Sequence, residues 1–281
     1  MPAEPHAAER HVREGNLDAA LKELQDLVRK EPAAAKHRVF LFQLLAVLGQ
    51  WDRARTQLAV VRDLDARAIP MVQTYREALR CEVLRREVFA GKRSPLLFGE
   101  PAQWIAGVVQ ALMLSAQDRV EEAQAMRQQA LAEAPEEPGT LEIALPPGGD
   151  QATRKDAFAW LADADSRLGP LLEAVINGKY YWVPWSAIAT VTIEPPTDLR
   201  DLVWLPAQFR WRNGGDAVGL LPARYPGSAD GEPALRLGRR TEWVDAGHGE
   251  FRGLGQKCLA SDVGDYGLFD VRRIELATQA G

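Results

Sequence analysis

The sequence predicts an α+β fold, with an N-terminal helical array over residues 1–137 and a β-rich C-terminal domain over residues 158–281. Three observations carry this. Apolar residues in the first half recur at helical spacing and repeat along the chain. The second half is a series of short β-branched and aromatic runs separated by turn signals. Between them, residues 138–157, "PGTLEIALPPGGDQATRKDA", are rich in Pro and Gly and weakly periodic, and read as a linker or surface excursion.

The array begins with "GNLDAALKELQDLVRKEP", which places Leu17, Ala20, Leu21, Leu24, Leu27 and Val28 on one face. "GQWDRARTQLAVVRDLDA" repeats the layout: Gly15 aligns with Gly49, Leu17 with Trp51, Ala20 with Ala54, Leu24 with Leu58 and Leu27 with Val61. Every offset is 34, the period of tetratricopeptide helix pairs, so the array is TPR-like. Ala20 lets two helices approach closely, Leu24 fills the gap and Pro32 ends the pair. A further copy lies at "DRVEEAQAMRQQALAEAP", where Ala123 and Pro135 keep the spacing of Ala20 and Pro32. "MVQTYREALRCEVLRREVFAG" reads as one long helix between the copies, and "GEPAQW" as the start of another, with Pro101 in its first turn.

In the second half, "KYYWVPWSAIATVTIE", "LVWLPAQFRW", "DAVGLLPA", "LRLGRRTEWV" and "YGLFDVRRIEL" read as strands of a small, curved antiparallel sheet with one or two short helices. "RWRNGGDAVGLL" is a hairpin through Asn213, Gly214 and Gly215. Pro184, Pro206 and Pro222 point to bulges or edge positions. "GHGEFRGLGQ" reads as a flexible loop.

Hydrophobic residues make up 46% of the chain and charged residues 26%, a composition that packs a core rather than staying disordered. The net charge of −5 argues against nucleic acid as a main partner. No apolar run approaches the roughly 20 residues that span a bilayer, and "MPAEPHAAERHVREG" lacks the apolar core of a signal peptide. Cys81 and Cys258, far apart in sequence, are expected to be free thiols. Together these point to the cytoplasm, with no membrane partner. His6, His11, His37 and His248 show no ligand spacing with one another or with the cysteines, so neither a metal nor another cofactor is expected.

Two acidic blocks are the candidate chemistry. "FAWLADADSRLGP" packs Asp163, Asp165, Ser166 and Arg167 together. On a structural reading, residues 170–177 form a two-turn helix with Asn177-Gly178 as its left-handed cap. Asp165 or Ser166 then bonds its free amides, and Arg167 pairs with Asp163. "PPTDLRDLVWLP" sets Glu194, Asp198 and Asp201 around Arg200. There Thr197 or Asp198 caps a turn and Arg200 bridges a short helix to the sheet. The alternative is a metal-dependent enzyme using Asp163, Asp165 and Asp198, because Asp-x-Asp also ligates metal-nucleotides and a buried carboxylate pair can do acid–base work. An enzyme requires these carboxylates to line an open cleft without cationic partners. A structural cluster has them neutralised.

A curved helical array exposes a concave face that takes a peptide or helix. With Gly15 and Gly49 marking the turn inside each pair, the groove-facing positions are Lys36, Val39 and Gln43, followed one period on by Gln73, Glu77 and Arg80. The same face could equally pack against the C-terminal domain. "RREVFAGKR" is locally basic and reads as a solvated helix end or a patch for an acidic partner.

Several long blocks carry a family resemblance: "RVFLFQLLAVLGQWDRARTQL", "YREALRCEVLRREVFAGKRSPLLFGEP", "FAWLADADSRLGPLLEAVINGKYYWVP", "PTDLRDLVWLPAQF" and "NGGDAVGLLPARYPGS". Through them most of the chain resembles the ImpE or TagJ accessory proteins of bacterial type VI secretion systems, departing over residues 139–157. The resemblance implies a TPR-like N-terminal region, a β-rich C-terminal region and a non-enzymatic cytoplasmic role. It also implies two partners: the N-terminal helix of the small sheath subunit, and the ClpV-type AAA+ ATPase that disassembles contracted sheath.

Overall fold

A computed structural model describes residues 7–99, 102–145 and 152–278. Seven helices form the N-terminal half: α1 Ala7–Glu14, α2 Leu17–Lys30, α3 Ala35–Val47, α4 Trp51–Leu64, α5 Ile69–Phe89, α6 Gln103–Ser115 and α7 Val120–Glu133. Each of α1 to α4 packs on the next, and α6 packs on α7. The 34-residue period is real in three dimensions, since α4 starts and ends 34 residues after α2. Ala20, Leu24, Ala54 and Leu58 are all fully buried. The turns inside the first two pairs hold Gly15 (φ 80°) and Gly49 (φ 67°) in the left-handed region. In the third pair the equivalent place is taken by Asp118 (φ 58°), a residue that tolerates this conformation. The long helix α5 is continuous, as its glycine-free sequence predicts. The helix α6 starts at Gln103, and Pro101 lies outside the described residues. No helix among the described residues is long and apolar enough to cross a membrane.

The strands are β1 Leu96–Leu97, β2 Gly139–Ala144, β3 Thr153–Phe158, β4 Leu161–Asp163, β5 Leu171–Ile176, β6 Lys179–Pro184, β7 Ile188–Ile193, β8 Trp204–Trp211, β9 Asp216–Pro222, β10 Thr241–Asp245, β11 Phe251–Gly255, β12 Cys258–Ser261, β13 Asp265–Gly267 and β14 Val271–Leu276. Nine of them form one curved sheet in the order β1-β6-β5-β9-β8-β7-β14-β2-β3, larger than the sequence suggested and antiparallel apart from the β1–β6 pair. A three-stranded sheet, β13-β12-β4, and the β10–β11 hairpin complete the C-terminal half.

Three expectations are corrected. The described residues of the 138–157 stretch are largely strand rather than linker: β2 and β3 pair with each other and β2 pairs with β14, putting Leu141, Ile143 and Phe158 in the core, while 146–151 lie outside the described residues. Residues 170–177 are not a helix. Leu171 and Val175 point to the helical array while Leu172, Ala174 and Ile176 point to the opposite core, and this alternation makes β5 a strand buried on both faces. Asn177 (φ 50°) and Gly178 (φ 69°) then form the two-residue turn into β6 rather than a helix cap. Lastly, half of "GHGEFRGLGQ" is strand β11. The β8–β9 hairpin through Asn213 forms as predicted. Pro206 sits in an interior strand, but where the neighbouring β7 runs out and only its carbonyl is used, accepting from Glu194 N.

The large sheet separates two cores. On one face Leu171, Val175, Tyr180, Trp182, Trp204 and Leu220 merge with the apolar faces of the helices into a single cluster. On the other, Leu205, Phe209, Val191 and Ile274 pack with Leu161, Leu259 and Tyr266 of the small sheet. Trp204 shows how closely the halves are joined. Its ring lies 6.1 Å from Trp51 and 5.8 Å from Tyr75, and its Nε1 donates to Glu82 Oε1 at 3.0 Å. We therefore propose that the sequence boundary near residue 138 marks a change of layer and not a separately folding unit. Helical circular dichroism and tryptophan fluorescence are expected to report one coincident denaturant transition. Trp204→Ala is expected to destabilise both signals together by about 3–5 kcal/mol; two separated transitions would contradict the shared core.

Candidate functional site

The first acidic block is buried between the array and both sheets. Glu173 is the one charged side chain of β5, and the strand's alternation aims it at α5. There Arg85 grips it with two bonds, Nε to Oε1 at 2.6 Å and an NH2 donor to Oε2 at 2.8 Å, and the same NH2 donates to Arg224 O at 2.9 Å. Lys257 Nζ also reaches Glu173, at 2.8 Å, and pairs with Asp163. Tyr180 OH donates to Glu173, and Trp182 Nε1 donates to Tyr180 OH at 2.7 Å. Arg224 in turn donates to the carbonyls of Val47 and Ala46 at the end of α3.

Asp163 accepts from Lys257, from Tyr225 OH at 3.1 Å and from Asp165 N at 2.9 Å. Asp165 accepts from Arg167 Nε at 2.8 Å and NH2 at 2.5 Å, and from Gly253 N at 3.0 Å. The expected Arg167–Asp163 pairing is thus replaced: Arg167 holds Asp165, and Lys257 holds Asp163. The reason is reach within the tight turn, where Asp165 Oδ1 also accepts from Arg167 N at 3.0 Å. Ser166 Oγ accepts from Phe251 N at 3.1 Å, so the hydroxyl serves a neighbouring strand rather than a helix.

Protonation follows this geometry. Burial would raise the pKa of Glu173, but Arg85 and Lys257 override it and hold the carboxyl far below its ordinary range. Asp165 is likewise lowered against burial by Arg167. Asp163 is raised, because burial outweighs Lys257. Lys257 is raised despite burial by Asp163 and Glu173. Arg224, buried among carbonyls, is pushed down to about 10.

The second block lies elsewhere, and no hydrogen bond or ion pair among the described residues joins it to the first. Leu199–Leu202 is a 3-10 turn closed by a capping box between Asp198 and Asp201. Asp201 Oδ2 accepts from Thr197 N at 2.9 Å and Asp198 N at 2.8 Å. Arg200 pairs with Asp198 at 2.5 Å and lies 4.8 Å over the ring of Tyr75 on α5. It therefore bridges the turn to the helical array rather than to the sheet. The carboxylates proposed for an enzyme thus do not converge, and Asp163 and Asp165 already spend their oxygens on cations and amides. Among the described residues no group of three or more His, Cys, Asp or Glu could hold a metal ion.

The six groove candidates separate. Lys36, Val39 and Gln43 line an open concavity of about 860 Å³ bounded by α1, α3 and the 197–202 turn. Glu77 and Arg80 line a second cleft of about 990 Å³ between α4, α5 and the β5–β6 turn. Gln73 is exposed on α5 and lines neither. The array does not keep one continuous groove because the β5–β6 turn rests on α5: Arg80 donates to Gly178 O at 3.1 Å and Cys81 Sγ approaches the same carbonyl at 3.5 Å. Arg85, Glu173, Lys257 and Arg224 were not singled out from the sequence. Glu173 had a signal, a lone carboxylate inside an unbroken apolar run; Arg85 was indistinguishable from its solvated neighbours.

The chain resembles known proteins. A family model described as "ImpE protein" matches residues 155–275. The "Type VI secretion system accessory component TagJ" of Pseudomonas aeruginosa is 52% identical over 269 residues, covering 95% of this chain and 90% of its own. A crystal structure of a Vibrio parahaemolyticus protein superposes with a TM-score of 0.83 over 98% of each chain at 24% identity, a likeness of fold alone.

Removing one member of a buried ion network leaves the others uncompensated, so Glu173→Gln is expected to cost about 3–5 kcal/mol in chemical denaturation. Because the folded pKa of Glu173 lies below the 4.5 of an ordinary glutamate, its contribution is complete above that pH and lost as pH falls beneath it. Lys257 is raised above 10.5, so its contribution is lost only as pH climbs past that value. The wild-type stability profile is expected to fall on the acid side more steeply than that of Glu173→Gln; parallel acid limbs would remove Glu173 from this role.

Proposed function

The chain belongs to the ImpE/TagJ family of type VI secretion accessory proteins, and on that premise we propose that it is a non-enzymatic cytoplasmic adaptor that captures the N-terminal helix of the small sheath subunit. By holding that helix it modulates recycling of the contractile sheath by the ClpV-type ATPase. The observation that carries this reading is the concavity of about 860 Å³. Its wall is apolar where an amphipathic helix would lay its buried face: Val12, Val39 and Phe40 on the array, with Leu199 and Leu202 opposite. Its rim carries both signs, Glu9, Asp65 and Asp198 against Arg13 and Lys36, which suits a helix whose flanks are mixed in charge. A site of this size buries too little area for a permanent complex, and an adaptor of a recycling machine has to let go.

Gln43 is almost fully buried and serves the wall, whereas Lys36 is exposed and Val39 half-buried. Gln73, Glu77 and Arg80 stand outside this concavity and are not needed for the helix. Titration calorimetry of the full chain with a synthetic sheath-subunit helix is expected to show affinity near the micromolar range, about 8 kcal/mol. Val39→Asp combined with Lys36→Glu is expected to weaken it by at least about tenfold. Absence of binding at high micromolar concentration, or an unchanged affinity in the double variant, would reject the capture site.

A further inference from the structure

We propose that the cleft between α4, α5 and the β5–β6 turn is a second docking surface, built for an acidic amphipathic segment of a protein partner. The observation is a local inversion of charge. The chain as a whole carries −5, yet this cleft is lined by seven cationic side chains against three carboxylates. Each of those carboxylates is already matched: Asp52 with Arg55 at 3.2 Å, Glu87 with Arg93 at 2.8 Å, and Glu77 with Arg80. What remains is an unmatched surplus. Arg53 donates only to Gln50, and Arg76, Arg86 and Lys179 are exposed with no ion pair among the described residues. Four like charges facing one concavity repel one another, and an anionic ligand relieves that repulsion.

The floor decides the class of ligand. Val83 and Leu96 are 41% and 46% exposed, large apolar side chains set among the arginines, with Leu84 half-buried beside them. A nucleic-acid backbone has no use for such a floor. The aromatic ring available, Trp51, is packed at 6.1 Å on Trp204 and so is no platform for a base. An acidic helix or extended segment with apolar residues between its carboxylates satisfies floor and rim together, and the cleft of about 990 Å³ has room for about two helical turns. The cleft shares no lining residue with the concavity assigned to the sheath helix, so the two sites can succeed or fail separately.

The test uses the full chain and fluorescence anisotropy with a labelled model helix of about 18 residues built from Glu and Leu. A Lys/Leu helix and single-stranded oligothymidylate serve as comparisons. Binding of the Glu/Leu helix is expected to exceed both and to weaken several-fold between about 50 and 200 mM salt. Arg76→Glu with Arg86→Glu is expected to weaken it at least about tenfold, and Val83→Ser about threefold, with unchanged thermal midpoints. Val39→Asp is expected to leave it unaltered. Failure of the Glu/Leu helix to bind at high micromolar concentration, equal or tighter binding of the oligonucleotide, or indifference to the double arginine variant would each overturn the proposal.

Discussion

The fold depends on one buried contact, the two-bond grip of Arg85 on Glu173. It joins the longest helix of the array to a central strand of the sheet, and neither residue can lose the other cheaply once both have left water. A strand that slips by one residue turns every side chain to the opposite face. A slip in β5 would carry Glu173 into the apolar second core among Leu205 and Phe209, away from Arg85 and Lys257. The pair therefore specifies register as well as joining the halves. It also fixes the rotation of α5, because the turn that presents Arg85 to the sheet sends Arg86 and Val83 outward.

The rest of the interior chemistry completes this contact. Lys257 balances Glu173 and Asp163, Arg167 balances Asp165, and Tyr180 and Tyr225 occupy remaining lone pairs. In a low-dielectric interior a partly satisfied network is worse than none, so the cluster is complete or useless. A block that looks catalytic in sequence is thus built into the packing between helices and sheets. Its carboxylate oxygens are engaged by fixed cations, amides and hydroxyls, whereas acid–base work needs a group free to exchange its proton with a substrate.

How far the sequence could be read depended on whether each signal was local. The repeat was legible because small and bulky residues recur at a fixed step: Ala20 and Leu24 return as Ala54 and Leu58, and helix limits follow. β5 was not, because "LLEAVI" buried on both faces offers no polar alternation and can be laid on a helical face as well. Residues 138–157 misled for a related reason: their Pro and Gly cluster at 146–149, yet that punctuation coloured the reading of Leu141, Ile143 and Phe158 beside it. Ion-pair partners were the least legible. Lys257 stands 94 residues from Asp163, and nothing in the linear order selects it over any other lysine. The six groove positions came from the correct period, but the sequence left open whether the C-terminal domain covers that face. The turn at Gly178 resting on α5 is a tertiary contact that no repeat pattern contains.

That covering shapes what the molecule can bind. A bare helical array offers one long concave surface, suited to a long ligand. Here the sheet takes the middle of that surface for its own core, with Trp182 and Trp204 as the filling, and leaves a concavity beside α3 and another beside α4 and α5. The two remnants differ in character because different elements close them. The 197–202 turn brings Asp198 and two leucines to the first, making it apolar with a rim of mixed sign. The β5–β6 turn brings Lys179 and a backbone carbonyl to the second, next to a helix face already rich in arginine. One covering thus makes two unlike sites from a single repeat surface, held at a fixed spacing by the same buried pair. An adaptor of the kind proposed above, engaging two partners at once, would draw on both concavities, and a solenoid alone would not supply them.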